Sequence, residues 1–512
     1  MTMQSKKKIF FLNLDLKQKM AGIELSALNR TKLFSSHLNI EPIFLTIGFN
    51  NTIFKDKEHV IVSNRASKNL SSMSIYDYFL DTHNIKNEKT SDRNINHYRL
   101  LPVEQEPSDI RMYDPKGNLI GFCRRHKDDL SLSYINYFNK IGKVFRRETY
   151  DSRGIIIKTE LIDAKNNDED IMQDLYHRAN GSIGIIKSST VKKNVASLHF
   201  IQLIDKNNAF VAHFENENDF IEYWLTDIIK NNPDAIFFVD RCNEFQNIII
   251  NAKNKIKNQI KIFSVLHGTH TGGDVFGGPT NGWYKTTMEN KDKLDGIIVL
   301  TEIQKKDIEM RYGSGNYYVI PHSYDINLNS APLSKRAKNK IVYIARFSPE
   351  KKHELAIEIF KKVIEKRPET ELHFYGYGNL EVENKVKGLI NEFNLKEKCI
   401  VHEFDQNVDA IYQSASLSIL TSDTEGFCMG ILESLSNGCP VISYNIKYGP
   451  SELIKDGING YLIPPFNLDE FSEKIIEVLD NEALHASLIS SAPKTVENFS
   501  HKNIANKWAS II

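Results

Sequence analysis

The chain is organised around Leu420-Thr-Ser-Asp-Thr-Glu425-Gly-Phe-Cys-Met-Gly430-Ile-Leu-Glu433-Ser-Leu-Ser-Asn-Gly438-Cys-Pro440-Val-Ile-Ser443. The residues that lead into it, 415–420, are short and apolar, as a strand buried on both faces requires. A loop then delivers Glu425 and Gly426, and Ile431, Leu432 and Leu435 give helical spacing up to Gly438. Gly438 suits the position just past a helix, Pro440 stops the helix from resuming, and 441–443 begin the next strand. The unit is strand, loop, helix, strand, with carboxylates at the mouth of the helix. Ligands of open α/β sheets bind outside such strand ends, and a helix start offers unpaired N–H groups to a phosphate.

The same alternation fills the carboxyl half. Residues 341–345 lead into Arg346-Phe-Ser-Pro-Glu-Lys351 and an amphipathic helix over 355–364. Residues 371–375 lead into Gly376-Tyr-Gly378, and 400–404 precede a helix carrying Val408 and Ile411. In the amino half, 9–12 and 42–46 read as strands around a helix with Leu25, Leu28, Leu33 and Phe34, and Gly22 falls in the loop before it. No G-x-G-x-x-G follows the first strand, which weighs against a nicotinamide or flavin site. Buried strands recur at 235–239, 260–266, 296–300 and 317–320, and a helical pattern closes the chain from Phe499.

Between the two runs the character changes. Tyr113-Asp-Pro-Lys-Gly117, Phe138-Asn-Lys-Ile-Gly142 and Tyr150-Asp-Ser-Arg-Gly154 each place glycine fifth and a β-rich run after it, a hairpin signature. The expected organisation is an α/β protein with two doubly wound, Rossmann-like domains facing a cleft and an inserted antiparallel β-meander. The boundaries read as 1–75 plus 205–320, the insertion at 76–204, a second α/β domain at 321–495, and a terminal helix, 496–512, packing back on the first. An isolated sheet of this size must cover its faces, and packing against other subunits is one way to do so.

Length and composition agree. A chain of 512 residues exceeds one ordinary core, and 41% apolar with 25% charged residues is normal for a globular protein. Lys+Arg and Asp+Glu are both 65, so overall charge favours no nucleic acid or other polyanion. The five cysteines form no C-x-x-C pair, which fits a reducing compartment. The apolar run after Lys6-Lys-Lys8 is too short for a signal segment or membrane span, so the expected location is cytoplasmic, with peripheral attachment at the inner membrane face left open.

Several residues carry chemistry. Arg346 and Lys351 share one loop at a strand end, and a planar fork beside a point charge suits a diphosphate. Glu425 and Glu433 resemble a hydrolytic carboxylate pair, but both lie on one loop-helix unit, whereas a cleaving pair must flank the bond. Recognition of sugar and ribose hydroxyls is the better use. His267-Gly-Thr-His270 with Asp274 lacks helical H-x-x-x-H spacing, so a strand-end histidine touching substrate is preferred to a metal centre, with a packed histidine as the plain alternative. Asp168-Glu-Asp170 reads as a solvated loop.

These residues resemble the retaining GT-B glycosyltransferases. The matching pieces are Arg346 with Lys351, Gly376-Tyr-Gly378, Thr424-Glu-Gly-Phe427, Glu425 with Glu433, and Gly438-Cys-Pro-Val-Ile442. The resemblance implies that Arg346 and Lys351 bind the donor diphosphate and that Glu433 contacts the ribose. It implies that Glu425 and His267 lie by the donor hexose. It extends donor binding to Gly22, Phe404, Gly426, Phe427, Cys428, Met429 and Gly430. The family often has glycine where Cys428 stands, and Ala21-Gly22 keeps one glycine of a usual pair.

Asn445-Ile-Lys-Tyr-Gly-Pro450-Ser-Glu-Leu-Ile, Asn459-Gly-Tyr-Leu-Ile463 and the inserted meander are similar to bacterial wall teichoic acid α-glycosyltransferases, whose inserted sheet assembles a homotrimer. The expectation is UDP-glucose as donor and an anionic poly(glycerol phosphate) as acceptor, with no metal. The rivals are UDP-N-acetylglucosamine with poly(ribitol phosphate), transfer to serine-rich adhesins, and a non-catalytic scaffold partner. Arg124, Arg125, Lys127, Arg146 and Arg147 on the insertion are the candidate acceptor contacts, against the plainer reading of a solvated charged face.

Overall fold

The structure, a computed structural model, describes the chain apart from residues 1–6, 21, 83–94, 96, 105, 165–168, 194, 257, 274–276, 330, 404 and 406. Two compact units divide it, Met1–Ile262 and Phe263–Ile512.

In the first unit, parallel strands stand in the order Ile236–Val239, Ile9–Asn13, Ile43–Thr46, Ser71–Ser74. Every residue of the two strands Ile9–Asn13 and Ile236–Val239 is buried, which is why both are continuous apolar runs. The edge strand Ser71–Ser74 has no such run and is invisible to periodicity. Gly22 is not in a loop: it is the first residue of the helix Gly22–Leu33. That helix is fastened by Arg30, whose guanidinium lies over Phe11 and pairs with buried Asp240 at 2.5 Å.

The chain then builds a ten-stranded antiparallel meander from Arg99–Val103 to Phe210–Phe214, each strand beside its sequence neighbour. Five of its turns share one geometry. The N–H groups of Gly117, Gly142, Gly154, Gly181 and Asn208 donate to the carbonyls of residues 114, 139, 151, 178 and 205. All five have positive φ, between 61° and 86°. Three were legible from their glycines with a preceding aromatic. Gly181 lacks the aromatic, and Asn208 fills the left-handed position that glycine favours and that asparagine adopts more readily than most residues. That last turn carries the sheet past residue 204 to Phe214. Glu169 and Asp170 begin a strand, Glu169–His177, rather than lying in a loop; Asp168 and Asp274 lie outside the described residues.

The second unit has two parallel groups. Gly296–Val299 pairs with residues 263–265 on one side and Tyr317–Val319 on the other. The second group is a six-stranded sheet in the order Cys399–His402, Glu371–Tyr375, Lys340–Ile344, Leu417–Leu420, Val441–Tyr444, Gly460–Ile463. The chain moves outward from Lys340–Ile344 for two strands, then returns to lay Leu417–Leu420 against its other side. The crevice between those two strand ends is therefore a topological switch point. The closing helix His501–Ala509 is tied down within this unit by Lys507, which donates to the Val319 carbonyl. No helix among the described residues is long and apolar enough to cross a membrane.

Candidate functional site

Arg346 and Lys351 leave the sheet at the end of Lys340–Ile344, and Glu425 leaves it just after Leu417–Leu420, so the switch point brings the charges together. The Arg346 loop is clamped from below. Ala345 N–H donates to the Tyr375 carbonyl at 3.1 Å, Phe347 N–H to the Tyr377 carbonyl at 3.0 Å, and Asn379 N–H to the Phe347 carbonyl at 2.7 Å. Gly376 and Gly378 exist for this approach, because a methyl on either would fall inside the backbone of 345–347. His353 wedges the loop from the side, stacked on Tyr343 and Phe347 with ring centroids 4.7 Å from each. Burial pushes His353 down to about 3, so it serves here as a neutral packing ring. Arg346 itself points to solvent, 3.6 Å from Glu350.

Lys351 is pulled inward. Its Nζ lies 2.5 Å from Glu425 Oε1, which also accepts from Ser422 Oγ at 2.7 Å. Burial works against the ammonium charge, and the Glu425 carboxylate more than offsets it, holding Lys351 above the ordinary lysine range. The Lys351 carbonyl accepts from Tyr343 Oη, which fixes the backbone that carries the cation.

Gly426 lets this loop reach His267. A methyl on Gly426 would overlap the His267 carbonyl oxygen, so the two backbones touch. The N–H groups of His267 and Gly268 both donate to Tyr284 Oη, at 3.0 and 2.9 Å, and Gln304 donates to the Gly268 carbonyl at 2.8 Å. The His267 ring stacks on His322, centroids 5.8 Å apart, and His322 meets Phe427 edge-on at 5.5 Å. His322 was missed from sequence, where a lone histidine after Pro321 carries no pattern.

The helix predicted after Phe427 is Met429–Ser436. It ends as expected: Gly438 has φ +69°, Gly438 N–H donates to the Leu435 carbonyl and Cys439 N–H to the Ser434 carbonyl, a Schellman motif. Its start is tight. Gly430 sits where an added methyl would meet the Ile344 carbonyl at 3.5 Å, so the helix N-terminus lies against the strand end that delivers Arg346. Cys428 holds φ +69°, the left-handed conformation that explains why glycine suits this position. Cys428→Gly should relieve roughly 1 kcal/mol of backbone strain while losing a small buried thiol, leaving stability and turnover near those of the parent. Cys428→Val should lower the melting temperature by several degrees, because a β-branched side chain fits positive φ badly. Thermal unfolding of the two variants checks the assignment.

Glu433 lies one turn further along. Burial pushes its carboxyl up to about 8, with the Asp409 carboxylate adding to the shift. Asp409 accepts from Tyr324 Oη at 2.8 Å and from Asn437 Nδ2 at 2.6 Å. A Glu433 carboxyl that keeps its proton near neutrality can both donate to and accept from a pair of hydroxyls.

The arrangement is one exposed guanidinium, one buried ammonium paired to a carboxylate, a helix start and a hydroxyl-matching carboxyl around a switch point. That set suits a negatively charged leaving group carrying sugars. Residues 325–495 match the family Glycosyl transferases group 1. This part of the chain belongs to that family. The chain is similar along 98% of its length to the poly(glycerol-phosphate) alpha-glucosyltransferase of Bacillus subtilis (strain 168), at 25% identity over 74% of that protein. It is 24% identical to the poly(ribitol-phosphate) alpha-N-acetylglucosaminyltransferase of Staphylococcus aureus (strain COL), over 99% of both chains. Its fold matches the crystal structure of an S. aureus TarM mutant in complex with Fondaparinux, alpha-GlcNAc-glycerol and UDP. The TM-score is 0.82 over 99% of both chains, at 23% identity. The fold is therefore GT-B with an inserted antiparallel β domain, and residues 325–495 form its group 1 glycosyltransferase domain.

The remaining expected residues lie elsewhere. Phe404 is outside the described residues. Gly22 belongs to the first unit, where an added methyl would meet nothing within 4 Å. The sheet cations all have local partners. Arg124 forks onto Asp109 with two 2.7 Å bonds, Arg125 donates to the Leu130 carbonyl, and Lys127 pairs with Glu106 at 3.0 Å. Arg146 pairs with Glu148, and Arg147 donates to Asn136 and lies over the Tyr134 ring. Among the described residues no group of three or more His, Cys, Asp and Glu side chains is arranged to hold a metal ion. His270 is fully buried instead, its ring stacked on Tyr448.

Proposed function

We propose that the protein transfers glucose from UDP-glucose, with retention of configuration, to hydroxyls of a poly(glycerol phosphate) of wall teichoic acid. The observation that carries this reading is the meeting of Arg346, Lys351 and the start of Met429–Ser436 at the switch point. As UDP leaves, its growing charge is met by the two cations and by the N–H groups of the helix start, and such preorganised charge is usually the largest catalytic contribution. The acceptor hydroxyl attacks from the face that UDP leaves, and the departing phosphate takes its proton. In this reading the cations do the work that a metal ion does elsewhere. Glu433 holds the ribose, and Glu425 and His267 flank the hexose.

For the acceptor, support comes from a cavity of about 580 Å³ in the first unit, within the usual size range of small-molecule sites. It opens outside the carboxyl ends of Ile9–Asn13 and Ile43–Thr46, with Lys187 of the inserted sheet as one wall. Lys187 pairs with Glu217 and Arg241 with Glu24, both at 2.6 Å, and Lys19 adds a further cation. Alternating carboxylates and cations suit a chain of alternating hydroxyls and phosphates. The paired sheet cations, Arg124 to Arg147, would then guide polymer rather than bind it tightly. We place the enzyme at the cytoplasmic side of the membrane and assemble it as a homotrimer through the inserted sheet.

The second reading, UDP-N-acetylglucosamine onto poly(ribitol phosphate), is favoured by the match to the S. aureus relative over 99% of both chains. One experiment separates them: purified protein offered UDP-glucose and UDP-N-acetylglucosamine with each polymer. Glucose transfer to the glycerol polymer is expected. Transfer of N-acetylglucosamine to the ribitol polymer alone establishes the second reading, and no transfer from either donor removes both.

A further inference from the structure

Glu425 gets its position from a segment far along the chain. Its N–H donates to the Lys447 carbonyl at 3.2 Å, and Tyr448 N–H donates to the Glu425 carbonyl at 2.8 Å. Gly449 continues the contact, since a methyl there would overlap the Phe427 carbonyl, and Cys428 Sγ lies 3.5 Å from the Tyr448 carbonyl. The shape of 425–428 is therefore copied from 447–449.

That segment is in turn held by one carboxylate on another element. Asp307, on the helix Glu302–Tyr312, is 3% exposed. Its Oδ2 accepts from Lys447 Nζ at 2.8 Å and from Tyr448 Oη at 2.9 Å. The same helix is gripped again at its start, where Ile303 N–H donates to Glu452 at 3.3 Å. His270, three residues past His267, completes the packing by stacking on Tyr448, whose Oη is 3.5 Å from His270 Nδ1.

We infer that Asp307 is a positioning residue for the reaction: through Lys447 and Tyr448 it sets the backbone of Glu425, and through Glu425 the place of Lys351. This rests on the reading of Lys351 and Glu425 as donor-site groups. Asp307 touches no reacting atom in this account. A buried carboxylate accepting from an ammonium and a phenol is costly to leave half-satisfied, so the contact has one arrangement and not a range. Loss of Asp307 frees 447–448, and a displacement of about 1 Å at the reacting groups is enough to cost on the order of 10²-fold in rate.

The test is a set of variants assayed for kcat, donor KM, UDP affinity by calorimetry and thermal unfolding. Asp307→Ala should lower kcat about 10²-fold and weaken UDP affinity by less than that, because Arg346 lies outside the contacts between 425–428 and 447–449. Asp307→Asn still accepts from Tyr448 and should recover much of the rate, and Tyr448→Phe, which keeps Lys447 paired, should lose less than Asp307→Ala. In a Glu425→Gln background the further loss from Asp307→Ala should largely vanish, since a residue acting through Glu425 cannot be additive with it. Full additivity, or unchanged kcat in a folded Asp307→Ala, overturns the role. Should Asp307→Ala fail to fold, the Asn and Phe variants decide by the same criteria. A parent protein that transfers no sugar from any UDP-sugar defeats the functional reading instead, whereas an active parent with an indifferent Asp307 defeats only the inference.

Discussion

Lys351→Met should lower kcat by about 10²–10³-fold, the loss typical of removing one preorganised group aimed at developing charge. The physical reason is local. Lys351 Nζ sits 2.5 Å from Glu425, with 16% and 10% of the two side chains exposed, so the ammonium is held in place before any donor arrives. Methionine keeps the length of the stem and removes the charge. Glu425 then keeps the bond from Ser422 Oγ, and breaking an enclosed pair costs on the order of 3 kcal/mol. That is a large fraction of an ordinary domain's stability of about 5–15 kcal/mol, but does not exceed it. Melting should fall while the circular dichroism stays native. Because the pair raises the Lys351 pKa, its stabilising share is complete below the ordinary lysine value and fades only in strongly alkaline solution. Near-parental turnover in folded Lys351→Met would remove Lys351 from the mechanism.

Gly426→Ala should be nearly as damaging for a different reason. The added methyl meets the His267 carbonyl oxygen and carbon and the Gly268 Cα, all backbone, so no side chain can swing away. The two loops must separate, and His267 moves away from Glu425 and Lys351. A shift of about 1 Å predicts a loss on the order of 10²-fold in kcat. Gly430→Ala is the control: its methyl meets the Ile344 carbonyl and Tyr412 Oη at 3.5 Å, an ordinary contact, inside a helix that alanine favours. Equal activity of the two alanine variants would mean that the contact between 426 and 267 has no part in catalysis.

The site was legible in sequence where chemistry and strand ends coincide. Arg346, Lys351 and Glu425 follow apolar strands, so the open-sheet rule alone directed attention to them. Contacts made across long sequence separation were not legible. Asp307 and Tyr448 lie 141 positions apart, and nothing in the periodicity of Glu302–Tyr312 marks Asp307 as buried. His322 is similar, since its meaning comes from standing between His267 and Phe427. The meander was read from glycine turns, and its end was misjudged where Asn208 does the work of glycine. The charged residues of the sheet looked available in one dimension; across strands Arg124 meets Asp109 and Arg146 meets Leu161, with Glu148 close by.

The meander also bears on how the chain is made. Ile9 pairs with Ile236, so the central strand of the first unit waits for a neighbour synthesised more than two hundred residues later. At about 5–20 residues per second on the ribosome, that delay lasts on the order of ten seconds or more. The ten-stranded sheet needs no such wait, because every strand pairs with the one just finished and the five tight turns close as they emerge. The insertion therefore has the means to fold first, strand by strand, and to bring the two halves of an interrupted sheet close together when the second half arrives.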